Sequence, residues 1–195
     1  VGSEMCIRDS SNFMAHGTLS VRIRQEDYRP FLLTLYSLCC YAADSGNRYA
    51  PEDAYLPGSY PGDGSPYAWS AVINSVLQPA LGLRWLLCYE ESDRDICHLQ
   101  KAAPKHWFAS GQQIHVAKCP TRFGLVSWIT KAVSNGEWEI TVQTAEEFTG
   151  DLAVHVHRPD GRNLKSTSLG KLERSKVIIS REALRTNRNL RFRVE

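Results

Sequence analysis

From Glu26 to Ala43 the apolar residues Tyr28, Phe31, Leu32, Leu35, Leu38, Cys39 and Ala42 recur at spacings of three and four. That period sets them on one stripe of an α-helix. Pro30 falls in the first turn, where its missing N–H costs nothing. Asp44-Ser45-Gly46-Asn47 ends the helix, Gly46 or Asn47 being able to take a left-handed cap. A second helical stretch runs from about Tyr67 to Tyr89. Pro79 divides it into a short helix and a new or kinked one carrying Leu81, Leu83, Trp85, Leu86, Leu87 and Tyr89. Apolar residues cover most of its circumference, which predicts burial on several sides. Two or three helices cannot cover one another so fully. Without further neighbours they would expose an apolar patch beyond the roughly 300–600 Å² usual on a soluble monomer.

After Ser92 the period changes from helical to alternating. Ile114 and Val116 are flanked by Gln113, His115 and Ala117, and Trp138, Ile140 and Val142 alternate with Glu137, Glu139, Thr141 and Gln143. Leu152, Val154 and Val156 alternate with Ala153, His155 and His157, and Leu190, Phe192 and Val194 with Arg191, Arg193 and Glu195. A period of two with one polar face means half-buried antiparallel strands. Ser110-Gly111, Ser134-Asn135-Gly136, Thr149-Gly150-Asp151 and Pro159-Asp160-Gly161 supply turns between them. With Ile96–Leu99, Leu125–Val133 and Val177–Ile179 added, seven or eight strands emerge, the count and spacing of an antiparallel β-sandwich. The expected fold class is therefore α+β: terminal helices over residues 11–94, then a sandwich over residues 95–195.

Composition narrows the partners. An apolar content of 43% is that of a globular chain. No stretch approaches the roughly 20 apolar residues that span a bilayer, so no membrane partner is expected. A formal charge of +2 is too near neutral to imply a polyanion. Basic residues do crowd the segment after Arg158, yet Arg191 and Arg193 alternate with core residues as a strand's solvated face would. No recognition helix or stacking platform accompanies them, so nucleic acid is not expected either. The cysteines Cys6, Cys39, Cys40, Cys88, Cys97 and Cys119 form no CxxC. Cys6 belongs to the opening run set aside below, and the others read as buried thiols acting as small apolar side chains, which leans towards a reducing compartment. The opening VGSEMCIRDS has no apolar period and resembles the translation of sequencing-adaptor read-through, an ordinary disordered terminus being the alternative. Residues 1–10 are set aside from the fold on that reading, and upstream helices are expected to be missing.

The run LRWLLCYEESDRDICHLQKAAPKHWFASGQQIHVAKCPTRFGLVSWIT resembles the junction in six-hairpin glycosidases, rhamnosidase-like proteins among them. There the last helix of an α/α toroid leads into a C-terminal β-sandwich. The matching features are Leu83-Arg84-Trp85, an acidic turn at Glu90–Asp95, Pro104-Lys105-His106-Trp107, Gly111, and Pro120-Thr121-Arg122-Phe123-Gly124, with VHVHRPDGR later. The resemblance implies a carbohydrate-active parent, its substrate bound through the toroid. This chain would be the C-terminal part of that protein, itself inactive, with the sandwich bracing the catalytic helices. The alternative is a non-catalytic sandwich that binds glycans or gives structural support.

The loop from Asp44 to Tyr67 is longer than structureless loops usually are. It carries four of the chain's eight tyrosines, Tyr49, Tyr55, Tyr60 and Tyr67, with Trp69 close behind. Rings with polar tips beside carboxylates suit a sugar, whose C–H faces stack and whose hydroxyls bond to Asp or Glu. Tyr49, Asp53, Tyr55 and Trp69 are the candidate substrate contacts, and Glu52 the candidate catalytic carboxylate. A Pro/Gly-rich surface loop whose carboxylates bond local amides is the competing reading. Glycoside hydrolysis needs a second carboxyl, expected upstream, because Glu90, Glu91, Asp93 and Asp95 read as a solvated turn. His155 and His157, with His115, are placed on an outer face without the companions of a metal site, so no cofactor is expected.

Overall fold

A computed structural model describes residues 10–11, 15–43, 53–54, 73–134 and 136–195. The chain divides into two compact units, Val1–Arg84 and Trp85–Glu195.

In the first unit, β1 (Ser10–Ser11) pairs antiparallel with β2 (Asp53–Ala54). Helix α1 (Ala15–Arg24) turns into α2 (Tyr28–Ala43) through Glu26, whose φ is 58°, and Arg22 Nη1 donates to Asp27 Oδ2 at 3.1 Å across the turn. Phe31, Leu35 and Leu38, spaced by four and three, form the buried stripe of α2. Pro30 lies in its first turn as the sequence predicts. Helix α1 escaped the sequence reading because only Leu19 and Ile23 of its ten residues are buried. Helix α3 (Ile73–Leu87) runs through Pro79 as one element, so of the two readings the separate new helix does not hold. One lost backbone hydrogen bond does not outweigh propagation on both sides. Gly82 of α3 is buried, and a Cβ there would lie 2.6 Å from Leu35 Cδ1 and 3.3 Å from Leu19 Cδ1. A side chain there would have to displace these two leucine methyls. Among the described side chains of α3, Gln78, Gly82 and Leu86 are buried along one stripe, while Leu77 and Leu83 are exposed at 56% and 47%.

The second unit holds two sheets, mostly antiparallel. One has the order β3 (Cys88–Glu90), β4 (Ile96–Leu99), β8 (Asp151–His155), β10 (Lys176–Ile179), β9 (Lys171–Glu173). The other has the order β11 (Asn189–Val194), β7 (Glu137–Thr144), β6 (Gly124–Ser134), β5 (Gln113–Thr121). Seven of these strands lie where the sequence reading expects them, four from alternation and three added to it. β3 was read as the end of the helix, and β9 and the short helix α4 (Arg181–Thr186) were not anticipated. One pairing, β4 with β8, is parallel.

The core lies between the sheets. Ile114, Thr130, Ile140 and Phe192 form one row across the four-stranded sheet, and Val116, Trp128, Val142 and Leu190 the next. Cys97, Leu99, Leu152, Val154, Val177 and Ile179 line the facing side of the five-stranded sheet, each at most 1% exposed. Glu90, on the same side as its partner Cys97, accepts the Arg122 N–H from the β5–β6 turn at 2.8 Å. The sequence expectation for Trp138, Ile140 and Val142 holds, with exposures of 1%, 0% and 0%. Gly124, placed by the sequence where the chain bends into β6, has φ 120°. A Cβ there would sit 3.2 Å from Phe148 backbone, so both backbone angle and space call for glycine.

Candidate functional site

The alternation of β8 does not produce a solvated face, because both of its faces are covered. Leu152, Ala153, Val154 and His155 are all buried. The reading of His155 and His157 as solvated outer-face histidines is therefore corrected: they are 1% and 8% exposed, although His155 shares the side of β8 turned away from the core. His115 is exposed, on the other sheet.

On the side of the five-stranded sheet turned away from the core, Tyr89, His98 and Ala153 align across β3, β4 and β8. His98 Nδ1 and His155 Nε2 lie 2.9 Å apart, and His98 Nε2 lies 2.9 Å from Glu91 Oε1. With a carboxylate at Glu91, one proton arrangement satisfies both contacts for neutral rings: His155 Nε2–H donates to His98 Nδ1, and His98 Nε2–H donates to Glu91. His155 Nδ1 is left as a buried acceptor with no hydrogen-bond partner. Lys101, 1% exposed, donates to Glu91 Oε1 at 3.4 Å and lies 4.9 Å from the centroid of the Tyr89 ring.

The segment that carries Lys101 is tied down from several directions. Gln100 takes a left-handed φ of 54° and donates through Nε2 to Thr130 Oγ1 of β6 at 2.8 Å and to the His155 carbonyl at 2.9 Å. It thereby links the two sheets. His157 Nε2 lies 2.9 Å from the Lys101 carbonyl, and the His157 ring meets Phe108 edge-on. Burial, reinforced by the Lys101 charge, lowers the His98 pKa to about 4. Burial lowers that of His155 as well, with His98 and His157 adding to it. For Glu91 burial works upward, but His98 and Lys101 prevail and hold it below the usual carboxylate value. The neutral imidazoles and the ionised carboxylate thus match the hydrogen-bond directions. Glu91 was read as part of a solvated turn; its side chain is 18% exposed and anchors this network instead.

Two cavities lie elsewhere in this unit. One, about 290 Å³, is lined by Phe108, Ser110, Gly136, Trp138, Arg158 and Asp160 among others. Arg158 donates from Nε and Nη2 to the two Asp160 carboxylate oxygens at 3.0 and 2.8 Å, and its guanidinium lies 5.8 Å from the Trp138 ring centroid. The Arg158 hydrogen bonds hold Asp160 far below the ordinary carboxylate range. The other cavity, about 320 Å³, follows edge strand β5 beside Leu87 and Trp107. Neither presents two carboxyls across a space. No group of three or more His, Cys, Asp or Glu side chains is arranged for a metal ion among the described residues. No helix among them is long and apolar enough to cross a membrane.

Of the sequence candidates, Tyr49, Glu52, Tyr55 and Trp69 lie outside the described residues. Asp53 lies in β2, opposite Ser11. Cys88, Cys97 and Cys119 are buried as expected, but Cys39 and Cys40 are exposed on α2. The His98–His155 pair had one legible sign. The polar-phase positions of β8 carry Ala153 and His155, where those of β7 and β11 carry Glu137, Glu139, Arg191 and Arg193. No protein-family model matches this sequence, and no curated protein matches it.

Proposed function

We propose that this chain is the C-terminal part of a carbohydrate-active protein built like the six-hairpin glycosidases, whose two-sheet unit braces the catalytic helices and takes no part in the chemistry. The single observation that carries the bracing role is where the aromatic side chains go. Trp128, Trp138 and Phe192 are buried between the sheets. The opposite face of the four-stranded sheet presents His115, Ile129, Thr141 and Arg191 in one row and Gln113, Lys131, Glu139 and Arg193 in the next. Arg191 pairs with Glu139 at 2.8 Å and Arg193 with Glu137 at 3.2 Å. Sugar recognition by a sheet wants exposed rings for C–H stacking, and this face offers charge ladders. The Glu91–His98–His155 network supports the same reading, because its hydrogen bonds run from one member to the next and its one orphaned acceptor, His155 Nδ1, is buried.

In the parent, the loop from Asp44 to Tyr67 supplies Tyr49, Asp53, Tyr55 and, just beyond it, Trp69 to the sugar, and Glu52 is the carboxylate nearest the chemistry. Neighbouring residues such as Glu52 and Asp53 cannot readily flank one scissile bond, whose two carboxyls stand about 5–10 Å apart. The test is turnover of a panel of aryl glycosides. The 195-residue chain is expected to give none, and a longer reading frame that adds further hairpins is expected to give turnover that Glu52→Gln lowers. Hydrolysis by the present chain alone overturns the bracing role. Saturable glycan binding by residues 85–195 favours the binding-module alternative.

A further inference from the structure

Cys88 of β3 and Cys97 of β4 lie on the core side of the same antiparallel pair. The register sets Cys88 against Leu99 and Cys97 against Glu90, so the two cysteines are diagonal neighbours. Their Sγ atoms are 3.5 Å apart, and the residues are 1% and 0% exposed. The thiols therefore already face each other, and about 1.5 Å of approach separates them from a disulfide bond length of about 2.05 Å. β3 is a three-residue strand at the edge of its sheet, joined to β4 alone. Opening β3 breaks its pairing to β4 alone and leaves β8 and β10 paired, and such local opening is the route by which a small reagent would reach the pair.

We propose that Cys88 and Cys97 are a reversible dithiol–disulfide site, oxidised by a small-molecule disulfide, that locks the β3–β4 hairpin and the Glu91 turn within it. One Sγ, as thiolate, attacks a sulfur of the oxidant and expels one thiolate. The second Sγ then attacks the mixed disulfide and expels the other. The oxidant's S–S bond breaks, the Cys88–Cys97 bond forms, and the two cysteine protons end on the two released thiols. The ring so closed encloses residues 88–97. Within it lie the Glu91 carboxylate bonded to His98 and the carbonyls of Glu91, Ser92 and Arg94 that accept from the Arg122 guanidinium. Oxidation thus fastens at its base the turn that Arg122 and His98 hold at its tip.

The test incubates the full chain with oxidised glutathione, blocks remaining thiols with an alkylating reagent, and maps the peptides. The expected product is a Cys88–Cys97 cross-linked peptide pair, with slower hydrogen exchange over residues 88–97 and full reversal by dithiothreitol. Cys88→Ala is expected to abolish both the cross-link and the gain in protection. The mapping needs only the unmodified protein, so misfolding of the variant does not spoil it. Recovery of Cys88 and Cys97 separately alkylated, separately glutathionylated, or linked to Cys119 overturns the proposal.

Discussion

Trp138 lies opposite Ala132 and Val194, 1% exposed, with its indole N–H donating to the Phe108 carbonyl at 2.9 Å. Trp138→Ala removes a large ring from a packed site and is expected to cost about 3–5 kcal/mol in urea unfolding. Trp138→Phe retains most of the packing and leaves the Phe108 carbonyl without this donor, so a smaller loss is expected. A loss under about 1 kcal/mol for the alanine variant would invert the face assignment of β7. His98 has a folded pKa of about 4, below its unfolded value of 6.5, so the unfolded chain binds more protons between these values. The stability this contributes is fully present above pH 6.5 and is lost as pH falls through the folded value. The size is on the order of 3 kcal/mol for a shift of that extent. His155 acts in the same direction, while the lowered Glu91 pKa adds its loss at more acid pH. Equilibrium unfolding in steps from pH 7.5 to 4 checks this, and His98→Gln is expected to flatten the profile. An unchanged slope in that variant would detach His98 from the acid response.

Arg122 ties one turn of the second unit to another. It sits in the tight β5–β6 turn, and its guanidinium donates to the carbonyls of Glu91, Ser92 and Arg94 in the β3–β4 turn. Arg122→Ala is expected to speed hydrogen exchange over residues 91–96 and to cost about 1 kcal/mol, the scale of exposed polar contacts. Arg122→Lys keeps the charge but loses the planar fork and is expected to restore only part of the protection. Unchanged exchange over 91–96 would mean that the turn holds itself. This clasp was half legible. Pro120 through Gly124 and the acidic run Glu90–Asp95 both stand out in the sequence, but nothing local pairs them, since the contact spans about thirty residues. The same limit explains β8. Alternation reports half-burial only where one face meets water, and Ala153 and His155, buried on the side of β8 turned away from the inter-sheet core, break that premise. β7 and β11 obey it, so Trp138 and Phe192 were placed correctly from pattern alone. α1 and β9 were missed because two buried residues in ten, or three strand residues, leave too little period to read.

At the scale of the whole molecule, the two units differ in how their apolar residues are used. In the first, Val21, Leu33, Tyr36, Leu77 and Leu83 are exposed at 52%, 68%, 47%, 56% and 47%. In the second, among the described residues, the exposed large apolar side chains are Leu125 and Val133 at 43% and 48%, against a core that runs through every central strand. Local opening is governed by how much buried contact an element must give up. Helix α1 gives up Leu19 and Ile23, whereas β8 gives up four consecutive buried residues and the Gln100 bridge to β6. Native-state hydrogen exchange is therefore expected to show weak protection over α1, α2 and the N-terminal part of α3. Protection approaching the global unfolding limit is expected over β6, β7 and β8. Adding helices that cover Leu33, Tyr36 and Leu77 is expected to raise protection in α2 and α3 while leaving β6 to β8 unchanged. Equal, strong protection in both units of the present chain would show that the exposed apolar residues cost the helices nothing, and the proposal that a larger helical domain covers them would lose its physical basis.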